Sequence, residues 1–75
     1  MNPHLNQLTH KVLAKKSSTN DWAKNCDLMV IYKSLIKYQS VITHADVIEI
    51  DKWIDKEEYG YVMYLLNYIE EEYYD

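Results

Sequence analysis

Apolar residues return every three to four positions through most of this chain, in four runs separated by short polar breaks. Leu5, Leu8 and Val12 stand at i, i+3 and i+7, with Leu13 widening the face. Lys11, Lys15 and Lys16 occupy the far side and last turn, where cations suit the helix dipole. Asn2-Pro3 reads as an N-cap followed by proline at the first helical position, predicting a first helix from about residue 3 to about 16. Ser17-Ser18-Thr19-Asn20 breaks that pattern and offers Thr19 or Asn20 as the next cap. A second helix, from about 21 to about 39, is apolar on two faces, as a central helix would be. Leu28, Ile31, Leu35 and Tyr38 form one face, and Trp22, Cys26, Met29, Val30 and Ile36 the other, with Lys33 and Lys37 laying their stems over the latter.

Thr43 and Asp46 form a T-x-x-D variant of the capping box and open a third helix to about Ile54, with Val47, Ile50 and Ile54 inward and Trp53 at the edge. The β-branched runs Val41-Ile42-Thr43 and Val47-Ile48-Glu49-Ile50 offer a competing reading, an α+β fold with short strands near residues 41–50. No Asn-Gly or Asp-Gly turn supports a hairpin there, so the helical reading leads. Asp55 and Glu58 resemble another box and predict a fourth helix from about 56 to near the C-terminus. Val62, Leu65, Leu66 and Ile69 gather on one side of it, flanked by Tyr59 and Tyr73. Tyr61, Tyr64 and Tyr68 make a second stripe roughly opposite, bordered by Glu57, Glu71 and Glu72. Gly60 weakens the first turn, which suggests a distortion or a close approach there. The expected architecture is all-α, a small four-helix bundle in which residues 1–75 form one helical domain. Trp22, Cys26, Leu35, Ile50, Leu65 and Ile69 are expected in the core.

Charge changes this picture. Residues 1–45 carry six lysines against Asp21 and Asp27, formally +4, whereas residues 46–75 carry two lysines against ten acids, formally −8. The acidic half also holds six of the eight tyrosines. A lone cysteine, Cys26, excludes an intramolecular disulfide and any site with two thiolates, and points to a reducing cytoplasm. The start lacks the basic and apolar regions of a secretory signal, and no apolar run of about 18 residues exists to span a membrane. Lysine without arginine, tyrosine without phenylalanine, and seven isoleucines suggest an A+T-rich coding sequence of the phage or mobile-element kind.

Enzymatic constellations are thin. His4, His10 and His44 lack the i, i+3 or i, i+4 spacing that aligns metal ligands on a helix, and one glycine cannot build a phosphate loop. Cys26 on an apolar helix face reads as an inert thiol. The sequence therefore predicts no enzyme, no cofactor and no metal. Direct nucleic-acid binding is disfavoured, because a recognition helix carrying Asp46, Glu49, Asp51 and Asp55 would repel phosphate and no arginine exists to read guanine.

The tyrosine stripe is the most specific signal, since tyrosine gives large contact area with few rotatable bonds, and surrounding carboxylates select a basic partner. Either the rings face solvent for a partner, or they pack on the first helix. Tyr61, Tyr64, Tyr68, Glu57, Glu71 and Glu72 are the candidate binding residues. Asp51, Asp55 and Glu58, at i, i+4 and i+7, form a wider negative line able to imitate nucleic-acid phosphates. The leading expectation is a phage- or mobile-element-type inhibitor that binds a basic surface on a host nucleic-acid-handling or defence protein. The alternative is a regulatory module, such as an antitoxin, immunity-like or adaptor protein, that forms a homodimer through the same stripe.

Overall fold

The structure, a computed structural model, describes residues 3–74, so the Asn2 cap lies outside the described residues. Four helices follow in order: α1 (Pro3–Ser18), α2 (Trp22–Lys37), α3 (His44–Asp55) and α4 (Tyr59–Tyr74). No strand forms among the described residues, and Val47–Ile50 lies within α3. The strand reading fails where a complete capping box at Thr43 and Asp46 starts a helix. Thr43 Oγ1 accepts from the Asp46 N–H at 3.2 Å, and Asp46 Oδ2 accepts from the Thr43 N–H at 3.0 Å. Two of the helix's orphan donors are thereby satisfied, while β-branched propensity alone is a weak bias.

The chain makes two antiparallel hairpins. In the first, Asn25 of α2 donates from Nδ2 to the Lys16 carbonyl at the end of α1 (3.1 Å), which ties the two helices at their joint. Asp21 caps α2, its carboxylate accepting from the Lys24 N–H at 3.2 Å. Neither Thr19 nor Asn20 takes that role, because the Thr19 hydroxyl is committed to the Asp21 N–H. In the second hairpin α3 closes with Glu57 N–H on the Ile54 carbonyl and Glu58 N–H on the Trp53 carbonyl, both at 3.0 Å. This is the Schellman pattern, with Glu57 in the left-handed region at φ 59° where glycine is usual. Asp55 is consequently the last residue of α3 rather than the cap of α4. The Glu58 carbonyl receives the first α4 bond, from Val62.

The hairpins then stack. α1 lies on α2 and α3, α4 lies on α2 and α3, and the diagonal pairs α1/α4 and α2/α3 do not pack together. His4 meets His44 and Lys11 meets Asp51, so α1 and α3 run parallel; Lys24 meets Glu57 and Tyr38 meets Tyr73, so α2 and α4 do also. One stripe from each helix fills the centre: Leu5, Leu8 and Val12; Leu28, Ile31 and Leu35; Val47, Ile50 and Ile54; Val62, Leu66 and Ile69. Tyr38, Ile42 and Tyr59 close it off.

Three of the residues expected in the core lie elsewhere. Trp22 is 80% exposed, and Cys26 and Leu65 are half-buried. In α2 the stripe of Leu28 takes the centre, which leaves Trp22 and Cys26 on the opposite side. In α4 Val62, Leu66 and Ile69 point inward, and Leu65 turns toward the α3 edge. The space beside Gly60 is open, with no atom within 4 Å of an added Cβ, so no close approach requires a glycine there.

Leu35→Ala should cost about 2 to 5 kcal/mol in denaturant unfolding, because its site is fully enclosed. Trp22→Ala should stay within about 0.5 kcal/mol of wild type. Gly60→Ala should stabilise by about 0.4 to 1 kcal/mol, since φ is not positive there and helical freedom in the unfolded chain falls. A destabilised Gly60→Ala protein would show that α4 begins differently.

Candidate partner-binding surface

α3 and α4 together present one aromatic ribbon. Trp53 of α3 meets Tyr61 edge-on at 4.7 Å between centroids, Tyr61 stacks beside Tyr64 at 6.0 Å, and Tyr64 meets Tyr68 edge-on at 5.1 Å. The Tyr64 and Tyr68 hydroxyls share a hydrogen bond of 3.0 Å. Tyr61, Tyr64 and Tyr68 are 41%, 52% and 54% exposed. Their rings do not pack on α1, because α4 touches α2 and α3 instead. Each ring is braced by its neighbour, so a partner that lands on the ribbon orders little further side-chain freedom.

The ribbon is electrically graded. At its Trp53 end, Lys52 and Lys56 place ammonium groups 5.1 and 4.9 Å from the indole centroid. At its Tyr68 end, carboxylates gather. Asp46 and Glu49 of α3 and Glu72 of α4 rim a groove of about 140 Å³, floored by Ile50, Leu65 and Ile69, with Tyr68 at its side. Glu71 borders Tyr68 on the other flank, with Tyr64 and Asn67. The Tyr68 hydroxyl holds its proton more tightly than an ordinary phenol, first because of its bond to Tyr64, then through the charge of that neighbour, partial burial and Glu71.

Of the residues the sequence nominated, Tyr61, Tyr64, Tyr68, Glu71 and Glu72 share this surface. The others are drawn away from it. Glu57, in its left-handed turn, pairs with Lys24 of α2 at 3.3 Å. Asp51 and Asp55 face α1, where Lys11 bridges both, 2.7 Å from Asp51. Glu58 is exposed just before α4. The negative line Asp51-Asp55-Glu58 is thus partly neutralised within the chain, because α1 lies parallel against α3 and supplies the cation. Trp53, Glu49 and Asp46 join the site unannounced. The i, i+4 pairing of Glu49 with Trp53, now a 2.8 Å bond from the indole N–H, was the available sequence signal.

His4 and His44, forty positions apart, also meet, with ring centroids 4.7 Å apart beside a groove that contains Lys11 and Asp51. Among the described residues no three metal-binding side chains converge, and no helix is long and apolar enough to cross a membrane. Cys26 lies half-buried on the outer side of α2.

Fold and surface together define an all-α four-helix bundle with an exposed aromatic and acidic face. No family model, curated protein or solved structure matches this chain.

The α1–α3 bridge gives a pH signature. Partial burial pulls Lys11 down, but the bonds and charges of Asp51 and Asp55 outweigh it and leave its pKa raised. Lys11 holds Asp55 below the usual carboxylate range, against a smaller opposing effect of burial and with help from Lys15. The Asp55 contribution is therefore present above about pH 4 and lost as pH falls through its folded value. The Lys11 contribution is present below about pH 10.4 and lost as pH rises through its folded value. Lys11→Met should flatten the acid limb of a stability-versus-pH curve near pH 4 without changing its mid-pH shape. An unaltered acid limb would show that the bridge does not hold α1 to α3 in solution.

Proposed function

We propose that this chain works by capture: its Trp53–Tyr68 ribbon and the carboxylates around Tyr68 bind a basic surface on a host protein that handles nucleic acid or takes part in defence, and thereby inhibit it. The observation that carries this reading is the exposure of three tyrosine rings on one side of the molecule, braced on one another and on the half-buried Trp53. A stable monomer has no packing use for such a patch. The rings supply contact area, and the acids supply selection and a faster encounter.

A second feature supports it. Glu70, Glu71 and Glu72 sit near the C-terminal end of α4, whose last turn holds no basic residue. Negative charge there opposes the helix dipole and weakens the helix. A locally unfavourable arrangement of this kind is relieved when a cationic partner docks, as is common at functional sites. The graded ribbon favours one orientation in this reading, with the partner's basic residues at the Tyr68 end and its apolar or acidic residues toward Lys52 and Lys56. The phage or mobile-element setting follows from composition and is part of the proposal.

Affinity capture from a bacterial lysate at low and high salt tests the reading. A nucleic-acid enzyme or defence protein should be retained at low salt and released at high salt. With that partner in hand, Tyr61→Ala, Tyr64→Ala and Tyr68→Ala should each keep the helical circular dichroism. At least one should weaken binding about thirtyfold, as a hot spot would. Glu71→Lys and Glu72→Lys should mainly slow association and reduce its salt dependence. Unchanged affinity in all three tyrosine variants would place the interface elsewhere.

A further inference from the structure

α2 carries a second apolar stripe on the side away from the core. At about 100° per residue, Leu28, Ile31 and Leu35 cluster in one direction and Trp22, Cys26, Met29, Lys33 and Ile36 in the opposite one. The first set is enclosed. In the second, Trp22 is 80% exposed, Ile36 and Lys33 are exposed, and Cys26 and Met29 are half-buried, with the exposed Val30 alongside. Only α1 and α4 pack on α2, and they leave Trp22, Lys33 and Ile36 of this side exposed. Its spacing alternates between four and three residues, which is the a/d seam of a coiled coil. Sixteen residues of helix spread that seam over roughly 24 Å.

We infer that this seam is the interface of a two-fold homodimer in which α2 of one copy lies antiparallel on α2 of a second. Charge decides the occupant and its direction. Lys33 stands near the C-terminal end of the seam, while Trp22 and the capping carboxylate of Asp21 stand at its N-terminal end. A parallel pairing would set Lys33 on Lys33 of the second copy and align the two helix dipoles. An antiparallel pairing sets Lys33 over Trp22 of the second copy, close to Asp21, and Cys26 against Met29, with the dipoles opposed. An ammonium group over an indole is a contact this chain already makes within itself, where Lys52 and Lys56 lie over Trp53. The seam is self-complementary in that one direction, so the contact closes as a dimer instead of propagating. A basic target of the kind proposed for the tyrosine ribbon would meet Lys33 here, and the two surfaces therefore serve different partners.

Sedimentation equilibrium across a concentration series up to about 1 mM tests the dimer. The mass should rise from 9.0 kDa toward twice that value. Trp22→Glu and Met29→Glu should hold it at the monomer mass with the helical spectrum unchanged, and the high exposure of Trp22 keeps the first variant folded. Tyr64→Ala should dimerise as wild type does, so this inference and the proposed capture function fail separately. Direction is read by cross-linking in a Cys26→Ser background. Met29→Cys should join two copies under mild oxidation because it lies next to the two-fold axis, and Ile36→Cys should not, because its counterpart lies at the far end of the pair. A monomer at every concentration would overturn the inference. So would a dimer that survives both α2 variants, one lost in Tyr64→Ala, or cross-linking of both cysteines, which would mean a parallel pair.

Discussion

Each helix of this bundle packs against only two of the other three, around a single core, and the rest of the molecule follows from that limit. One enclosed stripe per helix is all that such an arrangement can bury. α1 and α3 satisfy it closely, with Leu5, Leu8 and Val12 on one and Val47, Ile50 and Ile54 on the other. α2 and α4 each carry a second stripe of large side chains, for which a bundle of this size has no interior. The surplus is left at the surface. It is organised there, as a seam with coiled-coil spacing on α2 and as a braced aromatic ribbon between α3 and α4.

The charge asymmetry of the chain is redistributed by the same geometry. Because α1 lies parallel on α3, Lys11 falls between Asp51 and Asp55 and cancels part of the acidic half. Lys24 does the same for Glu57. These are solvent-touched pairs, of the kind that each contribute little to stability. Their larger consequence is positional. Once they are formed, the acidity left without a counter-ion in these bridges concentrates around Tyr68, where Asp46, Glu49, Glu71 and Glu72 come from two helices. The negative surface of the folded protein is therefore smaller and more local than the linear sequence implies, and it coincides with the aromatic ribbon.

Local rules made much of the fold legible. The 3.6-residue periodicity placed four helices, and of the cap signals the Thr43–Asp46 box is present with both of its bonds. Such signals are reliable because they involve residues within one turn of each other. The second box failed for an instructive reason: Asp55 and Glu58 have the right spacing, but the Schellman turn at Glu57 already consumes the end of α3 and starts α4 at Tyr59. Two overlapping local motifs competed, and the one that satisfies two carbonyls prevailed.

The sequence by itself determined the number and type of helices, the residues that share each face, and the presence of surplus apolar stripes on the second and fourth. Periodicity fixes which residues share a face, whatever surrounds the helix. Only the tertiary structure decided which of two competing faces would be enclosed. It put Leu28, Ile31 and Leu35 inside and Trp22 outside, brought His4 to His44 across forty residues, and joined Trp53, Glu49 and Asp46 to the tyrosines. Those outcomes depend on how two hairpins stack, and stacking is set by the joint packing of all four helices, which no single stretch of the chain encodes.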